Sequence, residues 1–107
     1  MNIRDSAARL EALGNPTRLE IFRLLVRAGE GGLSVGTIQQ KLDVAASTLS
    51  HHLKSLVIVG LIRQDRDGTT LMCRANFPVM RALMDFLVAE CCVDESICCD
   101  VSAEQPA

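Results

Sequence analysis

The chain has no tryptophan and no tyrosine, and its three phenylalanines bring aromatics to only 3% of 107 residues. Ala, Leu, Val and Ile must therefore supply the core, which favours helices. No apolar run approaches the ~18 residues that a bilayer span requires. The first stretch, "MNIRDSAARLEAL", mixes charge with apolar side chains and holds no secretory h-region. The expectation is one cytoplasmic domain with no membrane segment, in which cysteines are kept as thiols rather than as a disulfide framework. No nucleophile–base–acid arrangement and no phosphate-cradling glycine loop is visible. The only two histidines, His51 and His52, are adjacent in one helical segment, so no enzyme is expected.

A further absence is of bases near the end. Residues 82–107 hold six acids, Asp85, Glu90, Asp94, Glu95, Asp100 and Glu104, and no Lys or Arg. Residues 1–81 carry all 11 bases against 7 acids. The formal net charge of −2 therefore hides a modestly basic body, able to meet a polyanion, and an acidic end that is not. That end is also where the sulfur is. "CCVDESICCD", residues 91–100, contains four of the five cysteines.

Periodicity predicts a helix from Ile3 to Leu13, with Ala7, Leu10 and Leu13 along one side. "GNP" breaks it, and Asn15 caps a second helix, with Pro16 in its first turn and Leu19, Phe22, Leu25 and Val26 at helical spacing. "GEGG" at 29–32 is a turn. Ser34 caps a short helix to Leu42 that carries Val35, Ile38 and Leu42. "DVAAS" leads into "ASTLSHHLKSLVIVG", whose inner face is Leu49, Leu53 and Leu56. Two extended runs, "LIRQD" and "TTLMCRA", join at "RDG", an Asp-Gly hairpin signal. A last helix runs from Phe77 to Cys92, with Val79, Leu83, Phe86 and Leu87 on one stripe and Met80 and Met84 beside it. The order is four helices, a hairpin and a helix. This is a mainly α chain with a β-hairpin wing, a winged helix-turn-helix. The division expected is a domain over 1–92 and an acidic, cysteine-containing tail over 93–107.

"LGNPTRLEIFRLL" followed by "STLSHHLKSLVIVGLIRQDRDGTTLMCRA" resembles the ArsR/SmtB family of metal-responsive bacterial repressors, over about residues 7–90. The resemblance implies a homodimer built from the first and last helices, and repression of an operon until an inducer binds. The usual sensor positions of the family are absent. The helix before the recognition helix, "VGTIQQKL", has no cysteine, and the last helix has no histidine. The C-terminal cysteines are similar instead to a less common arsenite-sensing variant, with two adjacent cysteines ending the last helix and a third after a short loop. Cys91, Cys92 and Cys98 match that spacing, and Cys99 is a candidate substitute for Cys98.

In a helix-turn-helix the second helix enters the major groove. Ser47, Thr48, Ser50 and His51 are then placed to meet bases or phosphates, and Lys54, one turn on, the backbone. Arg66 at the wing tip is a further phosphate or minor-groove contact, although Asp65 and Asp67 flank it. His52 borders the apolar stripe and reads equally as a half-buried structural histidine or as a contact. Cys73, inside the wing, reads as a small packing residue. Double-stranded operator DNA is the expected partner.

The chemistry of the tail narrows the inducer. Were the last helix to run on to Cys98, that sulfur would sit roughly 10 Å along the axis from Cys91. Three sulfurs gather only if the helix ends near Cys92 and "VDESI" folds back. Thiolates without imidazole suit soft acceptors: As(III), Sb(III), Cd or Pb. Neutral arsenous acid condensing with three thiols releases three waters and leaves a neutral centre. Zinc held by four thiolates would carry a double negative charge beside Asp94, Glu95 and Asp100. As(III) is therefore the expected inducer, with Sb(III) sharing its chemistry and a methylated arsenical needing only two sulfurs. The alternatives are a thiol-redox regulator on the same fold, and a metalloid carrier or thiol enzyme with no operator affinity.

Overall fold

The computed structural model describes residues 1–95. Its elements are α1 (Ile3–Leu13), α2 (Pro16–Ala28), a 3-10 turn (Gly29–Gly31), β1 (Leu33–Ser34), α3 (Val35–Leu42), α4 (Ala46–Ile58), β2 (Ile62–Asp67), β3 (Thr70–Ala75) and α5 (Phe77–Val88). Short polar side chains start four of the five helices by accepting from otherwise unmet N–H groups. Asn2 accepts from Asp5 N, Asn15 from Thr17 N and Arg18 N, Ser34 from Thr37 N and Asn76 from Val79 N. Pro16 and Pro78 fall in first turns, where the missing N–H costs nothing. The helix α4 is the exception, with Ala45 at its N-cap and no side-chain hydrogen bond.

The core draws on every layer. Ile21, Phe22 and Leu25 of α2, Ile38 of α3, and Leu49, Leu53 and Leu56 of α4 meet Leu61, Ile62, Cys73 and Ala75 of the wing. Side-chain links fix α1 and α2 to α4. Arg9 Nε donates to Val59 O at 2.8 Å, where α4 ends. Arg18 reaches Ala12 O with Nη1 and His52 Nδ1 with Nε.

Four expectations change. First, the residues of α1 that the single chain buries are Ser6 and Ala12, neither of them among Ala7, Leu10 and Leu13. Ala7 is exposed and Leu10 is 41% exposed, because Ser6 can enter the core by donating to Asn2 O at 2.8 Å. On α2 the buried residues are Ile21, Phe22 and Leu25, while Leu19 is 42% exposed. Second, the wing is a three-stranded antiparallel sheet in the order β1-β3-β2. Leu33 pairs with Cys73 and Ser34 with Met72. Gly32, at φ +68°, allows this approach, since a Cβ there would overlap Cys73 O. Third, the hairpin turns one residue later than an Asp-Gly pair implies. Asp67 faces Thr70 in the register, so Gly68 at φ +65° and Thr69 are the central residues. Glycine first, with only that residue at positive φ, is the signature of a II′ turn rather than I′.

Fourth, α5 ends at Val88, four residues before Cys92. Residues beyond it continue as successive turns, with Cys91 N on Val88 O, Val93 N on Glu90 O and Glu95 N on Cys92 O. No Gly, Asn or Pro stops the helix. Residues 88–91 are exposed, so no burial favours another turn, and helices in water depend on such packing.

Candidate nucleic-acid interface and thiol site

Because α4 buries Leu49, Leu53 and Leu56, its opposite face is fixed by the helical period. Ser47, His51 and Lys54 follow one another along that face, with Thr48 and Ser50 at its borders, and all five are exposed. Ser50 and Lys54 also edge a hollow of about 260 Å³ between α4 and the wing, with Val57, Gln64 and Leu71 on its other walls. Alternation along β2 puts Ile62, Gln64 and Arg66 on one side of the sheet, opposite Ala75, Cys73 and Leu71. Arg66 thus extends, towards the wing tip, the same side that meets α4. Asp65 and Asp67 fall on the other side, and Asp65 is held by Arg74 Nη1 at 2.9 Å. The acids that flank Arg66 in sequence therefore do not share its face.

The uncapped start of α4 adds to this surface. Its N-cap residue, Ala45, offers the first-turn N–H groups no side-chain acceptor, and such a terminus attracts anions such as phosphate. This feature is legible in the sequence as two alanines where Ser, Asp or Asn would stand.

His52 is half-buried and hydrogen-bonded to α2. Its Nδ1 accepts from Arg18 Nε at 3.2 Å, which places the proton of the neutral ring on Nε2. Burial first, then the charge of Arg18 and the neighbouring His51, push its pKa below the ordinary histidine value. Cys73 is fully buried. Burial raises its pKa against a weaker opposing pull from the Gln64 amide, which donates to its sulfur at 3.5 Å.

The last described residues bring two of the four C-terminal cysteines together. Cys91 and Cys92 are past the end of α5, and Cys92 has φ +60°. In a continuous helix adjacent side chains diverge by about 100°; here the two sulfurs lie 3.5 Å apart, well beyond the ~2.05 Å of a disulfide. Cys98 and Cys99 lie outside the described residues. Among the described residues no group of three or more His, Cys, Asp or Glu side chains is placed to hold a metal ion, and no helix is long and apolar enough to cross a membrane.

A family of helix-turn-helix domains matches residues 13–65. An arsenical resistance operon repressor from Staphylococcus xylosus is 33% identical, over 71% of this chain and 70% of its own length. The chain belongs to the ArsR/SmtB family. It is accordingly a DNA-binding transcription regulator and not an enzyme. A Halobacterium salinarum protein provisionally named as an arsenical resistance operon repressor is 44% identical over 55% of this chain, and the chain spans 45% of that protein's length. A Mycobacterium bovis domain, described as a homodimeric winged helix-turn-helix DNA-binding domain, superposes with a TM-score of 0.66 at 28% identity, covering 89% of this chain and 83% of its own.

In this ArsR/SmtB regulator the residues singled out for DNA are exposed on α4 and on β2. Sequence reasoning missed three features there: the Arg18–His52 bond, the Asp65–Arg74 pair and the uncapped helix start. The first two join residues 34 and 9 positions apart, which no local pattern signals.

Proposed function

We propose that the chain is an arsenite-responsive repressor, homodimeric and cytoplasmic, that leaves its operator when As(III) or Sb(III) engages Cys91, Cys92 and Cys98. The observation that carries this reading is the 3.5 Å approach of the Cys91 and Cys92 sulfurs at the end of α5. Two thiols side by side, with no imidazole or third described ligand, suit a soft, thiol-seeking trivalent centre. The arsenical resistance names of two relatives agree with it.

Dimerisation is supported by what the single chain leaves uncovered. Leu10, Leu13, Leu19, Met80, Met84 and Leu87 surround an apolar hollow of about 490 Å³ formed by α1, α2 and α5. A surface of that kind marks a protein interface, and the M. bovis relative is described as homodimeric. Two copies joined there would present two α4 helices to a pseudo-palindromic site about one DNA turn apart. Ser47, Thr48, Ser50, His51, Lys54 and Arg66 are the residues assigned to DNA.

The coupling route follows the contacts. The helix α5 packs on α1, and Arg9 fastens α1 to the end of α4. Gathering Cys98 onto the pair would draw the acidic tail towards the end of α5, shift the α1–α5 interface and so move the two recognition helices apart or out of register. An allosteric coupling of about 1–3 kcal/mol weakens operator binding ~5- to 150-fold, and operator DNA weakens arsenite binding by the same factor.

Arsenite titrated into the operator complex should release the wild-type protein and leave the Cys91→Ser/Cys92→Ser/Cys98→Ser variant bound. Equal release of both at the same dose would refute the assignment. Release by peroxide without arsenic, reversed by dithiothreitol, would instead identify the pair as a redox switch.

A further inference from the structure

We infer that Arg18 is a positioning residue for DNA recognition: through His52 it sets the rotation of α4 about its own axis, and through the Ala12 carbonyl it ties that rotation to α1. The inference rests on the assignment of α4 to the operator and names what orients that helix.

Arg18 stands at the start of α2, where its own backbone N–H donates to the Asn15 side chain at 3.2 Å. From there its guanidinium reaches two other elements. Nε donates to His52 Nδ1 on α4 at 3.2 Å, and Nη1 donates to Ala12 O on α1 at 3.4 Å. Ala12 belongs to the last turn of α1, whose carbonyls lack intrahelical partners and whose end carries partial negative charge. That turn has no basic residue of its own, so Arg18 supplies the cation from the next helix.

Apolar packing does little to fix α1 against α4. The residues that α1 buries, Ser6 and Ala12, are both small, and small side chains interdigitate weakly with a neighbouring helix. Two arginine links take the place of that packing. Arg9 holds the C-terminal end of α4 through Val59 O at 2.8 Å, and Arg18 holds its middle through His52. A single link would leave a pivot, whereas two at separate points fix a direction.

His52 is the residue through which rotation of α4 is controlled. Successive helical residues point about 100° apart, so a fixed His52 fixes the direction of its neighbour His51, and with it that of Ser47 and Lys54 on the same face. Burial and the nearby charge of Arg18 keep the ring neutral at pH 7, the form in which Nδ1 can accept. The guanidinium suits the task because its rigid plane carries donors on separate nitrogens and can meet two acceptors at once. A lysine ammonium keeps the charge but is one nitrogen on a flexible stem.

The test measures binding of the full chain to operator and to random-sequence DNA by fluorescence anisotropy. Salt is held constant, since non-specific affinity depends on it, and circular dichroism sets a temperature at which every variant is folded. Arg18→Lys keeps the charge and breaks the tie; His52→Leu keeps Arg18 and removes its acceptor. Each should lower operator affinity about tenfold and leave random-sequence affinity within about twofold of wild type. The double variant should bind no more weakly than the poorer single one, because both changes break the same tie. His52→Asn, whose Oδ1 stands two bonds from Cβ as Nδ1 does, should bring operator affinity back to within about threefold of wild type. Wild-type operator affinity in His52→Leu overturns the inference, since Arg18 would then act without His52. So does an equal loss on both DNAs, the mark of a fold defect alone, or a His52→Asn protein as weak as His52→Leu. Failure of the underlying assignment looks different: Lys54→Ala then leaves operator affinity at the wild-type level. The inference alone fails when Lys54→Ala weakens operator binding and His52→Leu does not.

Discussion

The helices α4 and α5 differ by one residue in length and carry leucines at helical spacing, yet the single chain treats them in opposite ways. The helix α4 buries Leu49, Leu53 and Leu56 and turns polar and basic side chains outward. The helix α5 buries only Leu83 and leaves Met84, Leu87 and Val88 each more than half exposed. From Ser47 to Lys54 the uncovered face of α4 is hydrogen-bonding and cationic, the chemistry of a nucleic-acid contact, and only its last turn exposes Val57 and Ile58. That of α5 is apolar, the chemistry of a protein contact. The thiol pair lies just past the end of the second, so the proposed ligand end and the proposed dimer surface adjoin.

The sharpest way to break this comparison is to truncate each helix's leucine. Leu49→Ala should destabilise the protein by about 2–5 kcal/mol in urea unfolding, since it empties a fully buried site. Its counterpart on α5 should act on assembly instead. Met84→Glu with Leu87→Glu should leave the chain folded by circular dichroism, yield single chains in sedimentation and lower operator affinity by about tenfold or more. A stable dimer in that variant would remove α5 from the interface.

The polar face of α4 is tested by Lys54→Ala, which should weaken binding to all sequences alike and reduce the salt slope by about 1. A change confined to one operator sequence would assign Lys54 to base reading.

The smallest effect expected is a pH dependence. The folded pKa of His52 is lowered, so the native state binds fewer protons than the unfolded one there, and stability from this group rises with pH. That contribution is complete above the ordinary histidine value of 6.5 and is lost as pH falls through the lower folded value. Acid unfolding midpoints should therefore show a slope below pH 6.5 that His52→Gln flattens, because a glutamine oxygen can still accept from Arg18 without titrating. An unchanged slope would place the sensitivity elsewhere.

Much of this was readable from residues alone. Apolar spacing located the five described helices, with caps at Asn15 and Ser34 marking two of their starts, and the same spacing oriented α4, because local periodicity decides those features. The two-residue β1 was not readable, since it shows no alternation and depends on Gly32 lying against Cys73. The inward turn of Ser6 was hidden by its polarity. The end of α5 was misplaced because residues 89–92 are compatible with a helix, whereas residues 88–91 are exposed and burial does not favour a further turn. That difference matters most for function, since two sulfurs on a continuous helix would diverge.

Arsenic K-edge absorption of the arsenite-loaded protein tests the central claim most directly by counting neighbours of the bound atom. Three sulfur neighbours in the wild type, with one or more sulfurs lost in Cys91→Ser and in Cys92→Ser, is the predicted result. A shell of oxygen or nitrogen, or three sulfurs unchanged in either variant, would contradict it.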